Sequence, residues 1–124
     1  QFIQGSDAAG TYKTVYTAGS SGSKCYALWE TNNDGSTTHL ITVQVANGAN
    51  KYGGMSTNTT SNQGFANAVP PLNLLTSSLW PGLPLDSDGN PYIILSSGDT
   101  LIATFASALT AGSQINIVVN CSDY

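Results

Sequence analysis

Residues 80–105, WPGLPLDSDGNPYIILSSGDTLIATF, constrain the fold more than any other stretch. The run opens on Trp80 and carries Pro81, Pro84 and Pro91. Proline fixes φ near about −65° and offers no backbone donor, so residues 80–84 do not belong inside a helix or a central strand. They predict an extended, packed crossing that delivers the chain to a hairpin. The hairpin signal follows at Asp86-Ser87-Asp88-Gly89-Asn90, and two strand-like runs follow that, joined by Ser96-Ser97-Gly98-Asp99.

The rest of the chain repeats this grammar. Residues 11–17 are β-branched and aromatic, and 18–22 form a turn. Residues 23–31 alternate, with Cys25, Ala27 and Trp29 on one face and Tyr26, Leu28 and Glu30 on the other. Asp34-Gly35 is a strong hairpin signal. Residues 37–47 then place His39, Ile41, Val43 and Val45 on one face. A tight turn at 47–50 returns the chain through 51–56, and 57–68 reads as a long polar surface loop. Residues 72–78 could form one helical turn. Beyond the hairpin, 91–95 and 100–106 are strands, and 114–122 alternates Ile115, Ile117, Val119 and Cys121 against polar partners. The pattern predicts an all-β protein: an antiparallel β-sandwich or jelly-roll-like domain of about seven strands, with little or no helix. Residues 1–10 read as an N-terminal arm and 11–124 as one domain. Gln1 as a first residue leaves open a removed leader or a numbering that skips the start.

Charge narrows the function classes. Only 8% of the 124 residues are charged, and Lys13, Lys24 and Lys51 are the only cations, against about 25% charged residues in typical soluble domains. Nucleic-acid binding needs clustered Lys or Arg for the phosphates, and anionic membrane surfaces attract the same clusters. Neither partner is expected. No run approaches the ~20 apolar residues of a membrane-spanning helix. Neutral surfaces of this kind occur in secreted domains and in virion components.

Cys25 and Cys121 admit two readings. Paired, they would close a loop of about 100 residues, worth up to about 4.7 kcal/mol in the chain-entropy model, and would require an oxidising compartment. Reduced, they would serve as small core residues. Asn58-Thr59-Thr60 and Asn120-Cys121-Ser122 match the glycosylation acceptor pattern, a weak signal in a chain so rich in Asn, Ser and Thr.

Candidate chemistry is sparse. His39 is the only histidine, and a catalytic triad would need it beside a Ser and a carboxylate. No nucleophile-elbow pattern is present, so His39 reads as a strand residue. Asp86, Asp88 and Asn90 have the alternate spacing of a calcium loop, but Gly89 and Ser97 fall where such a loop needs other residues, and a tight turn explains them. Glu30 and the six Asp residues form no pair by spacing that would mark a glycosidase. Two Cys and one distant His do not suit zinc. No catalytic residue, cofactor or metal is expected. The aromatics, Tyr26 and Trp29 among them, could form a sugar-stacking platform; the simpler assignment has Trp29 and Trp80 anchoring the core.

Several strings resemble small structural proteins of tailed bacteriophages. These are Tyr12-Lys13-Thr14-Val15-Tyr16-Thr17-Ala18-Gly19 with Gly22-Ser23-Lys24, and Asn73-Leu74-Leu75 followed by the run from Trp80-Pro81-Gly82-Leu83-Pro84 to Asn90-Pro91-Tyr92. Ser97-Gly98-Asp99-Thr100-Leu101 and Leu109-Thr110-Ala111-Gly112 extend the likeness over most of the chain after residue 10. The cysteine pair lies outside the pattern. The resemblance is to capsid decoration, or cement, proteins. It implies a β-rich homo-oligomer, often a trimer, that binds the major capsid protein on the outer surface of the virion and stabilises the assembled head. Residues 1–10, 57–68 and 80–84 are the expected contact regions, represented by Phe2, Ile3, Asn58, Phe65, Trp80 and Leu83. The alternatives are another virion role, in a tail or head fibre, and a secreted carbohydrate-binding module.

Overall fold

The computed structural model describes residues 2–63 and 69–124. Among these the chain forms nine strands in two antiparallel sheets and no helix, a β-sandwich. The strands are β1 (Phe2–Gln4), β2 (Lys13–Thr17), β3 (Ser23–Asn32), β4 (Leu40–Asn47), β5 (Asn50–Asn58), β6 (Leu72–Asn73), β7 (Ile93–Leu95), β8 (Thr100–Phe105) and β9 (Gln114–Asp123). One sheet runs β1-β9-β3, with β6 and β7 sharing the far side of β3; the other runs β2-β8-β4-β5.

The alternating strands fold as their pattern dictates. Ile115 and Ile117 of β9, Ile41 and Val43 of β4, and Leu101, Ala103 and Phe105 of β8 are buried between the sheets. Two of the nine strands, β1 and β6, are too short for alternation to reveal. Within the expected arm, residues 2–4 form a paired strand, with Ile3 opposite Ile115.

β3 departs from its expected faces. A bulge between Cys25 and Ala27 inserts Tyr26 as an extra residue against β9. One added residue reverses the pleat beyond it. Cys25, Leu28 and Glu30 therefore share the interior, and Trp29 turns outward to 42% exposure. Trp80 anchors the core as expected; Trp29 does not. Cys25 and Cys121, directly opposed across β3 and β9, form a disulfide.

The proline run crosses as anticipated, from β6 at one end of β3 to β7 at the other. Leu74, Leu75 and Trp80 sink into the core along the way. The helical turn expected at 72–78 is displaced: Leu72 and Asn73 pair with β3, and a single α-type turn follows, in which Trp80 N–H donates to Thr76 O at 2.9 Å. A small hairpin then closes with Asp86 N–H donating to Asn90 O at 2.9 Å and Leu85 bridging Pro91.

Candidate functional site

Three features stand out: an apolar groove, a mixed aromatic and polar groove, and a buried polar cluster. The apolar groove lies where the proline run passes the edge of the second sheet. Trp80, Leu83 and Pro84 form one wall, Val45 and Tyr52 the other, and Ile93 and Ile94 the end, enclosing about 440 Å³. Tyr52 and Ile94 are exposed on its rim. Asp99 also borders it, but its carboxylate already accepts from Ser96 N–H at 2.8 Å and Asn47 Nδ2 at 3.0 Å. The groove is therefore apolar apart from one hydrogen-bonded carboxylate at its border. Beside it runs β5, whose outer edge pairs with no strand among the described residues. Such an edge is a template for a partner's backbone.

The second groove lies on the outer face of the other sheet and encloses about 610 Å³. β3 supplies Lys24, Tyr26 and Trp29, the crossing supplies Asn73, and the hairpin supplies Asp86 and Asn90. The bulge at Tyr26 is what brings both rings to this face. The wall groups are held in place by this chain's own bonds. Tyr26 Oη lies 3.3 Å from Ser122 Oγ, and Lys24 Nζ sits 4.0 Å from the centre of the Tyr92 ring. Asn73 Oδ1 accepts from Leu75 N–H at 2.9 Å. Asp86 Oδ1 accepts from Asp88 N–H at 2.9 Å and from Asn90 N–H at 2.8 Å. The Asn90 amide N–H, above all, holds the Asp86 carboxyl below its ordinary range.

The third feature is interior. Asp34 and His39, each 1% exposed, lie between the loop after β3 and the loop after β8. His39 Nε2 is 3.0 Å from Asp34 Oδ2, and His39 Nδ1 is 3.0 Å from Ser107 Oγ. The structure thus assembles the Asp, His and Ser that the sequence does not place together. The arrangement serves as a clamp. Asp34 also accepts from Thr110 N–H at 3.0 Å and from Thr110 Oγ1 at 3.1 Å, tying the two loops together. The Thr110 amide and the His39 ring hold its carboxyl far below the usual range. The His39 side chain is wholly enclosed, whereas Ser107 at the end of the chain of bonds is exposed.

Glu30 belongs to the same end of the sandwich and is fully buried. Neither of its carboxyl oxygens has a hydrogen-bond partner. Burial pushes its pKa up to about 7, with the neighbouring Gln63 pulling the other way. Gln63 Oε1 accepts from Asn32 N–H at 2.6 Å and its Nε2 donates to Pro70 O at 3.1 Å.

The six expected contact residues scatter. Leu83 and the remaining accessible edge of Trp80 line the apolar groove. Asn58 is exposed at the end of β5. Phe2 lies on β1, while Ile3 is 1% exposed and packs into the chain's own core. Phe65 lies outside the described residues. Sequence reasoning missed Tyr52 and Ile94 as groove residues. Only the pairing of β7 with β3 and of β5 with β4 brings them near Leu83.

Fold and grooves define the class: a disulfide-stapled, two-sheet β-sandwich whose accessible features are surface grooves. No protein-family model, curated protein or solved structure matches the chain.

Proposed function

We propose that the chain is a capsid decoration protein of a tailed bacteriophage, bound as a homo-oligomer, a trimer, on the outer surface of the head and bridging major capsid subunits. The observation that carries this reading is the apolar groove of Trp80, Leu83, Tyr52 and Ile94 on an otherwise neutral, charge-poor surface. An apolar depression beside an unpaired strand edge supports docking against another subunit. The stapled sandwich supports it as well, because a clamp must transmit load without deforming.

The benefit to the head follows from mass action. A ligand that binds only the assembled lattice stabilises it, and several modest contacts per oligomer combine as avidity. With few charges in the contact, binding should be nearly independent of salt. A tail or head-fibre role would use the same surface and differs only in where the chain sits on the virion.

The test uses capsids purified without this chain. Added protein should co-sediment with them and raise their melting temperature, and Ile94→Asp, a change at a groove residue 55% exposed, should abolish both effects while leaving the chain's own unfolding close to wild type. Capsids that neither bind the chain nor gain stability would overturn the proposal.

A further inference from the structure

The groove on the outer face of β3 is a binding site of different chemistry, and we infer that it takes a short, neutral oligosaccharide. Three observations converge on that ligand. First, Tyr26 (53% exposed) and Trp29 (42% exposed) present aromatic surface on the floor of one groove. Aromatic rings left in water on a sheet face are costly unless something apolar covers them, and the C–H faces of a sugar ring are such a cover. At about 3.3 Å per residue, the two positions on β3 stand up to roughly 10 Å apart, a separation that suits more than one sugar ring.

Second, the walls carry the groups that read hydroxyls. Asn73 uses its Oδ1 on Leu75 N–H, which leaves its amide NH₂ as a donor. Asp86 and Asn90 supply carboxylate and amide acceptors on the opposite wall. A vicinal diol donates and accepts at once, so it fits a groove that offers both. These groups are already fixed by bonds within the chain, so little side-chain freedom is lost on binding.

Third, the charges cancel. The groove holds one cation, Lys24, and one anion, Asp86, and the Lys24 charge is close enough to act on the Asp86 carboxyl. That balance favours an uncharged ligand over a sialylated, sulfated or phosphorylated one. The volume of about 610 Å³ lies within the range of small-molecule sites and accommodates a di- or trisaccharide. A polypeptide is the competing occupant. A peptide laid on β3 would seek unpaired backbone, yet β3 is flanked by β9 along one edge and by β6 and β7 along the other.

This site is separate from the apolar groove, so its test can fail without touching the capsid proposal. The intact, disulfide-bonded chain is applied to an array of neutral gluco-, galacto-, manno- and N-acetylglucosamine oligosaccharides. Hits are then titrated by calorimetry. The expected result is retention of at least one neutral series, with affinity reduced at least tenfold in Trp29→Ala and in Tyr26→Ala. Both variants should unfold at the wild-type temperature and still bind capsids. Because both residues are exposed, a variant that loses sugar binding but keeps its unfolding temperature assigns the loss to the groove. The inference is overturned if no neutral oligosaccharide binds, if binding survives both substitutions, or if only a peptide ligand competes for the groove.

Discussion

Replacing Glu30 by Gln isolates the cost of one buried carboxyl. Glu30 projects from β3 into the interior with no hydrogen-bond partner on either oxygen. Its ordinary value of 4.5 rises to about 7 in the folded protein because burial penalises the charged form. Between those values the native chain holds a proton that the unfolded chain has released. Stability from this group is therefore fully present below about 4.5, falls as pH rises through about 7, and levels off above it. The gap corresponds to about 3 kcal/mol of stability lost at pH 8.5. For a domain of this size that is roughly 10 °C in melting temperature. Glutamine has nearly the same shape and no charge. The excess of the variant over wild type should be under about 1 kcal/mol at pH 5 and should grow to about 3 kcal/mol at pH 8.5. Thermal and urea unfolding across pH 5–8.5, with the disulfide intact, measures this directly. Because the other titrating groups are common to both proteins, the difference curve reports Glu30 alone. Parallel curves over the whole range would refute the reasoning.

Further outcomes follow from the same structure. Asp34→Asn should destabilise strongly at neutral pH and progressively less as pH falls below the unfolded carboxyl's 3.8, since the native carboxyl, held low by Thr110 and His39, contributes stability above that value and loses it in acid; an acid titration of unfolding free energy checks it. His39→Ala should cost about 3 kcal/mol by stripping Asp34 and Ser107 of a buried partner, read by urea unfolding at pH 7. The Cys25→Ala, Cys121→Ala double variant should lose up to about 4.7 kcal/mol, because the bridge joins residues 96 positions apart; chemical unfolding of the two proteins side by side gives the value. Gly22→Ala should cost at least about 2 kcal/mol, since its φ of +90° disfavours any side chain and a Cβ there would lie 2.7 Å from Leu95 O; the loss should appear in melting temperature.

Much of the scaffold was legible because it depends on local alternation. Ile115, Ile117 and Cys121 announce β9, and Ile41 and Val43 announce β4, each pattern surviving intact in the fold. The prolines announced the crossing. What stayed hidden depends on events that alternation cannot encode. A single extra residue at Tyr26 reverses the faces of β3, moving Glu30 inward and Trp29 outward. Three residues at β1 are too few to show a period. The two grooves combine residues far apart in the chain, such as Trp29 with Asn90 and Tyr52 with Leu83, whose meeting is decided by sheet pairing. The Asp34–His39–Ser107 clamp is hidden for the same reason: its serine arrives from the far end of β8.

The central claim is that the work of this chain is done at its exterior, where the groove formed by Trp80, Leu83, Tyr52 and Ile94 seats against a capsid subunit. A three-dimensional reconstruction of capsids decorated with the purified chain tests it most directly. The account predicts density for the sandwich on the outer capsid surface, with Leu83 and Ile94 against a neighbouring subunit. Bare capsids, or decorated capsids in which that groove faces solvent, would contradict it.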